Sequence, residues 1–194
     1  MSPATHVLLV PVLFLSLTIL GTLSFAEDVM SKEDIGLKSE KLTHIHFYVR
    51  DVDSGPNITD VVVARRPTTN VTMSASEAGF GTVHVIDIPL RVGPEVGSKQ
   101  IGSMQGMATA VSQSDPAVFS LAFTFVFTEG KHKGSTLVVL GWNPADEKIR
   151  ELPILGGTGL FRFARGYALT STYFRYDPKI GLAIYEYDLY ILHY

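Results

Sequence analysis

From Leu42 onward the apolar positions fall mainly at every second place, the period of a half-buried β-strand and not that of a helix. In the first such run Ile45, Phe47, Val49 and Asp51 share one face, and His44, His46, Tyr48 and Arg50 share the other. Further strand-like runs are predicted at 58–64, 80–88, 99–111, 117–128, 134–141, 147–154, 160–174 and 182–193. The separators carry turn chemistry: Asp53-Ser54-Gly55-Pro56, Gly93-Pro94, Asp115-Pro116, Glu129-Gly130, Asn143-Pro144 and the stretch 176–181. Many strands with tight turns and no crossover helices predict an antiparallel sandwich or barrel. The run 117–128 favours a barrel. Phe119, Leu121, Phe123, Phe125 and Phe127 form one face, while Val118, Ser120, Ala122, Thr124 and Val126 leave the other only weakly polar. Such a strand is expected to be covered on both sides, by a barrel interior on one and by a partner subunit or another layer on the other. An eight-stranded barrel is just wide enough to hold one small ligand.

The amino terminus breaks this pattern. Residues 7–20 are an apolar run, and Ser24 and Ala26 stand at the spacing of a signal-peptidase site. Residues 1–26 are therefore expected to be a signal peptide, 27–41 a flexible polar arm and 42–194 the barrel domain. Two sequons, at Asn57 and Asn70, fit a secretory route as glycosylation sites. Composition narrows the chemistry further. The 194 residues carry 16 Lys plus Arg and 19 Asp plus Glu, a formal charge of −3, which offers nucleic acid no basic footprint. Charged residues are only 18%, below the roughly 25% of soluble domains, so a packed chain is expected. Cysteine is absent, which removes disulfides, thiol nucleophiles and Cys-type zinc sites together.

Asp51 is the first candidate for chemistry. If its face is interior, a carboxyl ends an apolar row, burial raises its pKa, and it is placed to exchange a proton with a phenol or quinone-type oxygen. The plainer alternative is a strand-end Asp that caps the following turn. Phe47 and Val49, on the same face, are the accompanying substrate-contact candidates. The glycine-rich stretch Gly156–Gly166 lacks the spacing of a dinucleotide or phosphate loop, and is expected to form a bulge or barrel corner. It carries Arg162 and Arg165, of which one is expected to face the cavity. His44 and His46 share a strand face opposite Asp51, with no third ligand in view, so no metal and no cofactor are expected. There is no Gly-x-Ser-x-Gly elbow for a serine nucleophile.

These residues carry a resemblance. The blocks His46–Asp51, Phe80–Val83 with Asp87–Leu90, Gly102–Gly106, Phe125–Gly130, Gly134–Leu137, Leu155–Gly166 and Tyr190–Tyr194 occur in the order found in plant dirigent proteins. They match dirigents better than the related allene oxide cyclase barrel. The resemblance implies an eight-stranded antiparallel barrel, usually assembled as a homotrimer, with a homodimer as the alternative, glycosylated and secreted to the apoplast. It also implies binding of phenoxy radicals or quinone methides whose coupling or cyclisation is steered stereoselectively. On it, Asp51 corresponds to the family's pocket acid and Arg165 to the arginine of its Ala-Arg-Gly element. Ile88 stands where the family has a second adjacent acid, Met107-Ala108 replaces an aromatic, and Leu160 occupies a site that is polar in lignan-forming members. A single pocket acid, and the diverse branch of the family rather than the lignan-forming one, follow as expectations.

Three functions remain open from the sequence. The leading one is a binder that directs phenoxy-radical coupling in lignan or phenylpropanoid biosynthesis, with radicals supplied by a separate laccase or peroxidase. The second is a pterocarpan synthase-like lyase that dehydrates an isoflavonoid through a quinone methide, with Asp51 as the acid. The third is a non-catalytic wall protein or carrier.

Overall fold

The computed structural model describes residues 29–65, 79–114 and 116–194. The expected leader (1–26) and the Asn70 sequon lie outside the described residues. Nine strands follow one another as β1 (Lys41–Val52), β2 (Asp60–Ala64), β3 (Val83–Arg91), β4 (Gln100–Ala110), β5 (Val118–Phe127), β6 (Thr136–Pro144), β7 (Ile149–Thr158), β8 (Arg165–Asp177) and β9 (Leu182–His193). Each pairs antiparallel with its neighbours in the order β1-β9-β8-β7-β6-β5-β4-β3-β2, and a further β1–β3 pairing returns the sheet on itself. Eight strands thus close a barrel. The short β2 shares the flank of β3 with β1, which pairs with Leu90 and Arg91 while β2 pairs with Val83–Ile86. Thr59 fixes this handover: its N–H donates to Val52 O at 2.8 Å, and its carbonyl accepts from Asp87 N at 2.9 Å. Among the described residues no helix is long and apolar enough to cross a membrane.

The period-two faces sort as the sequence predicts. Phe47 and Val49 are fully buried and Ile45 nearly so, and Leu121, Phe123, Phe125 and Phe127 project from β5 into the same core. On the outer surface His44 and His46 meet Asp188 at 2.7 and 3.0 Å. Val85, Met107, Ala122 and Leu140 lie in register across β3 to β6 on that outer surface. All but Ala122 are more than two-fifths exposed, and Trp142, further along β6, is exposed beside them.

The glycine-rich stretch differs from a continuous strand over 160–174. Val138 pairs with Gly156 and Val139 with Ile154, so Leu155 is the extra residue of a bulge, as expected there. The chain then turns through a 3-10 segment at Gly159–Phe161 and enters β8 only at Arg165. Gly159 has φ +62°, and Phe163 has φ +60°, an uncommon conformation for a residue with a bulky side chain. The turn drives Phe161 into one end of the barrel, fully buried against Phe127 and His193, with ring centroids 5.8 and 5.2 Å apart. Ser135 secures it, its Oγ accepting from Leu160 N at 3.0 Å. A side chain at Gly157 would collide with Thr136 O and Phe161, so this plug requires glycine there.

Candidate functional site

The other end of the barrel is open. A cavity of about 400 Å3 lies there, lined by the ends of strands from all around the barrel. Its walls are aromatic and aliphatic, including Ile86, Met104, Phe119, Phe123, Tyr185 and Tyr187. Polar groups converge between them. Asp51 enters from β1 as the next inward position after Val49. Arg150 enters from β7 in line with the inward Leu152 and Ile154, and is only 3% exposed. Its Nη1 donates to Ala145 O at 3.1 Å and to Thr172 Oγ1 at 3.0 Å, and the guanidinium lies 5.6 Å from the Tyr185 ring centroid.

Four buried side-chain polar atoms among the described residues have no hydrogen-bond partner: Asp51 Oδ1, Asn143 Oδ1, Arg150 Nε and Thr170 Oγ1. All four belong to residues that line this cavity. Buried polar atoms are ordinarily paired, and leaving one unpaired costs roughly 1–3 kcal/mol. Their residues gather in the lining of one largely apolar cavity, the arrangement typical of a small-molecule site.

The electrostatics of Asp51 follow from its surroundings. Burial, foremost, pushes its carboxyl up to about 7, the charges of Asp60 and Asp53 push the same way, and His84 opposes them. A carboxyl with that value is largely protonated in mildly acidic solution and serves as a proton donor. The phenol of Tyr185 is held well above its ordinary range, by burial first and by Asp51 next. It stays neutral.

The structure separates the residues that the sequence groups together. Asp51 lies in the cavity. Phe47 and Val49 do not line it: they share the face of Asp51 but lie deeper, where Phe47 is packed against Phe125 and Tyr187 at centroid distances of 5.0 and 5.6 Å. Tyr185 and Tyr187, their partners on β9, are the residues that reach the guest space. Neither arginine of the glycine-rich stretch faces the cavity. Arg165 pairs with Leu192, at the opposite end of β9 from Ala183, the partner of Asp51. Its exposed guanidinium meets Glu40 Oε1 at 2.7 Å, and with Arg162 it borders an open cleft beyond the Phe161 plug. The late start of β8 puts it there. The arginine in the cavity is Arg150, and the signal for it was its place in the inward row with Leu152 and Ile154.

The single-acid expectation also needs correction. Asp60, Asp53 and Asp146 line the cavity with Asp51. Ile88 faces inward and is buried, while Asp87 faces outward, accepting from Gln105 Nε2 at 3.2 Å. Asp60 enters instead because β2 lies on β3. Of the two sequons, Asn57 is exposed in the β1–β2 connection, in the left-handed conformation that Asn tolerates.

Comparison with known proteins joins this architecture to one family. A curated relative, Dirigent protein 21 of Arabidopsis thaliana, is 44% identical over 192 residues, covering 97% of this chain and 98% of its own. Pterocarpan synthase 1 of Glycyrrhiza echinata is 43% identical over 166 residues, covering 85% of each chain. The solved structure of the pterocarpan synthase dirigent protein GePTS1 superposes with a TM-score of 0.72 at 44% identity, over 81% of this chain and 87% of that one. The sequence profile of the dirigent-like protein family matches residues 42–192, which is the whole barrel from β1 to β9, and the chain belongs to that family.

Proposed function

We propose that the cavity binds a phenol that passes through a quinone methide, and that Asp51 supplies the proton that lets a hydroxyl leave it. The observation that carries this reading is the convergence of four unpartnered polar atoms on one aromatic-walled space. A hydroxylated planar guest suits this lining, in which Asp51, Arg150 and Asn143 offer polar side chains between aromatic and aliphatic walls. Departure of hydroxide from a benzylic carbon is assisted by such an acid, and the electron-deficient intermediate is then closed by a second phenol oxygen on the face that the walls leave open. Pterocarpan synthases among the relatives favour this lyase-type reading by name. The test is purified protein with a 4-hydroxyisoflavan bearing free phenols and no oxidant, followed by chiral chromatography. Enantiomerically enriched cyclised product is expected, and absence of turnover overturns the reading.

A second reading is favoured by the four aromatic residues in the cavity lining, Phe119, Phe123, Tyr185 and Tyr187, whose rings suit an aromatic guest. In it, an extracellular laccase or peroxidase makes phenoxy radicals, and the barrel holds them in one relative orientation during coupling. About 1.4 kcal/mol between two facial approaches gives a tenfold bias. Adding laccase to a panel of monolignol-type phenols separates the two: enrichment only with oxidase supports coupling, and racemic product under both conditions supports a carrier. Secretion to the apoplast, glycosylation at Asn57 and Asn70, and a homotrimer belong to the same proposal. The exposed row of Val85, Met107 and Leu140 supports self-association.

A further inference from the structure

On β3 and β2, next to the strand of Asp51, stands a second ionisable unit that this reading leaves without a role. His84, on β3, continues the inward row of Ile86, Ile88 and Leu90, where an aliphatic side chain would complete the barrel lining. Its Nδ1 lies 2.8 and 3.0 Å from the two carboxylate oxygens of Asp60, the first residue of β2. Both side chains line the cavity and both are largely shielded, at 21% and 12% exposure. With Nδ1 engaged by the carboxylate, Nε2 is the ring nitrogen left to meet another partner, and it makes no hydrogen bond among the described residues. A carboxylate on one ring nitrogen fixes the tautomer and orientation of an imidazole, so the other nitrogen is presented as a lone pair.

We infer that His84, positioned by Asp60, is the catalytic base of this cavity and takes the phenolic proton from the guest through Nε2 while Asp51 protonates its leaving hydroxyl. This inference rests on the acid-assisted reading above and completes its proton balance. The phenol O–H bond breaks, its proton goes to Nε2, and its electron pair becomes the carbonyl of the quinone methide. The benzylic C–O bond breaks, its electron pair leaves with the hydroxyl, and the proton of Asp51 converts that hydroxyl to water. When the second phenol oxygen closes the ring, its proton goes to the Asp51 carboxylate. The first phenol oxygen recovers its proton from His84. No oxidant is needed, and both side chains return to their starting state.

The charged groups around His84 fit this division. Asp60 on β2 and Asp51 on β1 hold its imidazole above the ordinary histidine range, while burial and Arg65, just beyond β2, oppose them. On β4 Ala108 stands opposite it in register, and on β5 the ring of Phe119 lies with its centroid at 6.3 Å. The productive pair, Asp51 protonated and His84 neutral, is a minority form of the coupled pair near neutral pH. The carboxyl keeps its proton only up to about 7, and the raised imidazole gives up its own only above the ordinary histidine range. Because the two interact, the limbs of a pH profile belong to the pair.

The test has two arms on the full protein. In kinetics with the 4-hydroxyisoflavan, His84→Gln is expected to lower kcat about a hundredfold, within the usual range for a lost general base. The rise of rate with pH on the acid side disappears and the fall on the alkaline side stays. Asp60→Asn removes the anion that raises the imidazole, so the acid limb moves to lower pH. A profile whose limbs do not move in either variant overturns the inference. The second arm is nitrogen NMR of the unaltered protein, above the titration of His84. The ring is expected as the Nδ1–H tautomer with unprotonated Nε2, and the Nε2 resonance shifts when the isoflavan lacking the 4-hydroxyl binds. An Nε2–H tautomer, or no shift with that ligand, overturns it. Absence of turnover by the unaltered protein removes the proposed function, and the tautomer and ligand shift then decide the role of His84 by themselves.

Discussion

Phe47 and Asp51 stand four residues apart on the same face of the same strand, and their surroundings are opposites. Phe47 sits among Phe125, Tyr187 and the layers that lead to the Phe161 plug, with no solvent exposure. Asp51 opens onto a cavity with an oxygen that no protein group satisfies. One half of the barrel is packed like any core, and its side chains contribute stability through burial. The other half withholds that packing and gathers Asp51, Asp60, His84, Asn143, Arg150 and Thr170. Stability and chemistry are thus divided along the barrel axis, and neither half is positioned without the other, because every long strand runs through both.

Substitutions at the two ends test that division. The largest effect is expected at the plug. Phe161→Ala removes a fully buried ring and is expected to cost about 3–5 kcal/mol in denaturant unfolding, with turnover per folded molecule unchanged. A matching loss of turnover would break the division. Asp51→Asn acts in the opposite sense. The folded protein keeps the Asp51 proton up to about pH 7 while the unfolded chain releases it near 3.8, so this residue lowers stability progressively as pH rises between those values. The variant is expected to match the unaltered protein near pH 3.5 and to exceed it by up to about 4 kcal/mol at pH 8, while losing activity. Equal unfolding midpoints at both pH values would mean that the carboxyl is not raised by burial.

Arg150→Met tests the cavity cation. It removes donors to Ala145 O and Thr172 Oγ1, a stability cost of about 1–2 kcal/mol, and is expected to abolish guest binding in calorimetry. Unchanged affinity would remove Arg150 from the site. The smallest effect belongs to Arg165→Ala, whose exposed ion pair with Glu40 is worth less than about 1 kcal/mol, with no change in binding. A large loss of affinity there would move the site to the wrong end.

The last two predictions mark where sequence reading succeeded and where it stopped. Parity along a strand tells which side a residue faces, and it placed Asp51, Phe47 and the β5 phenylalanines inside. It does not tell depth. Phe47, Val49 and Asp51 are equivalent by period and differ only in distance from the mouth, which is set by strand order and register. The same limit exchanged Arg165 for Arg150. An extra residue at Leu155 and a turn through Phe163 delay the start of β8, and neither is visible in an alternation of residue types. Arg150 and His84 each interrupt an otherwise apolar inward row, a signal that the sequence does carry. Asp60 had none. Its strand is five residues long, and its meeting with His84 exists only because β2 lies on β3.

Sealing one end with Phe161 makes the barrel a cul-de-sac. Whatever enters beside Tyr176 and Arg175 has to leave by the same doorway, so an occupant bars its successor until it has gone. On the proposed lyase reading, a product that lingers acts as a competitive inhibitor of the next cycle, and its departure is then a candidate for the slow step.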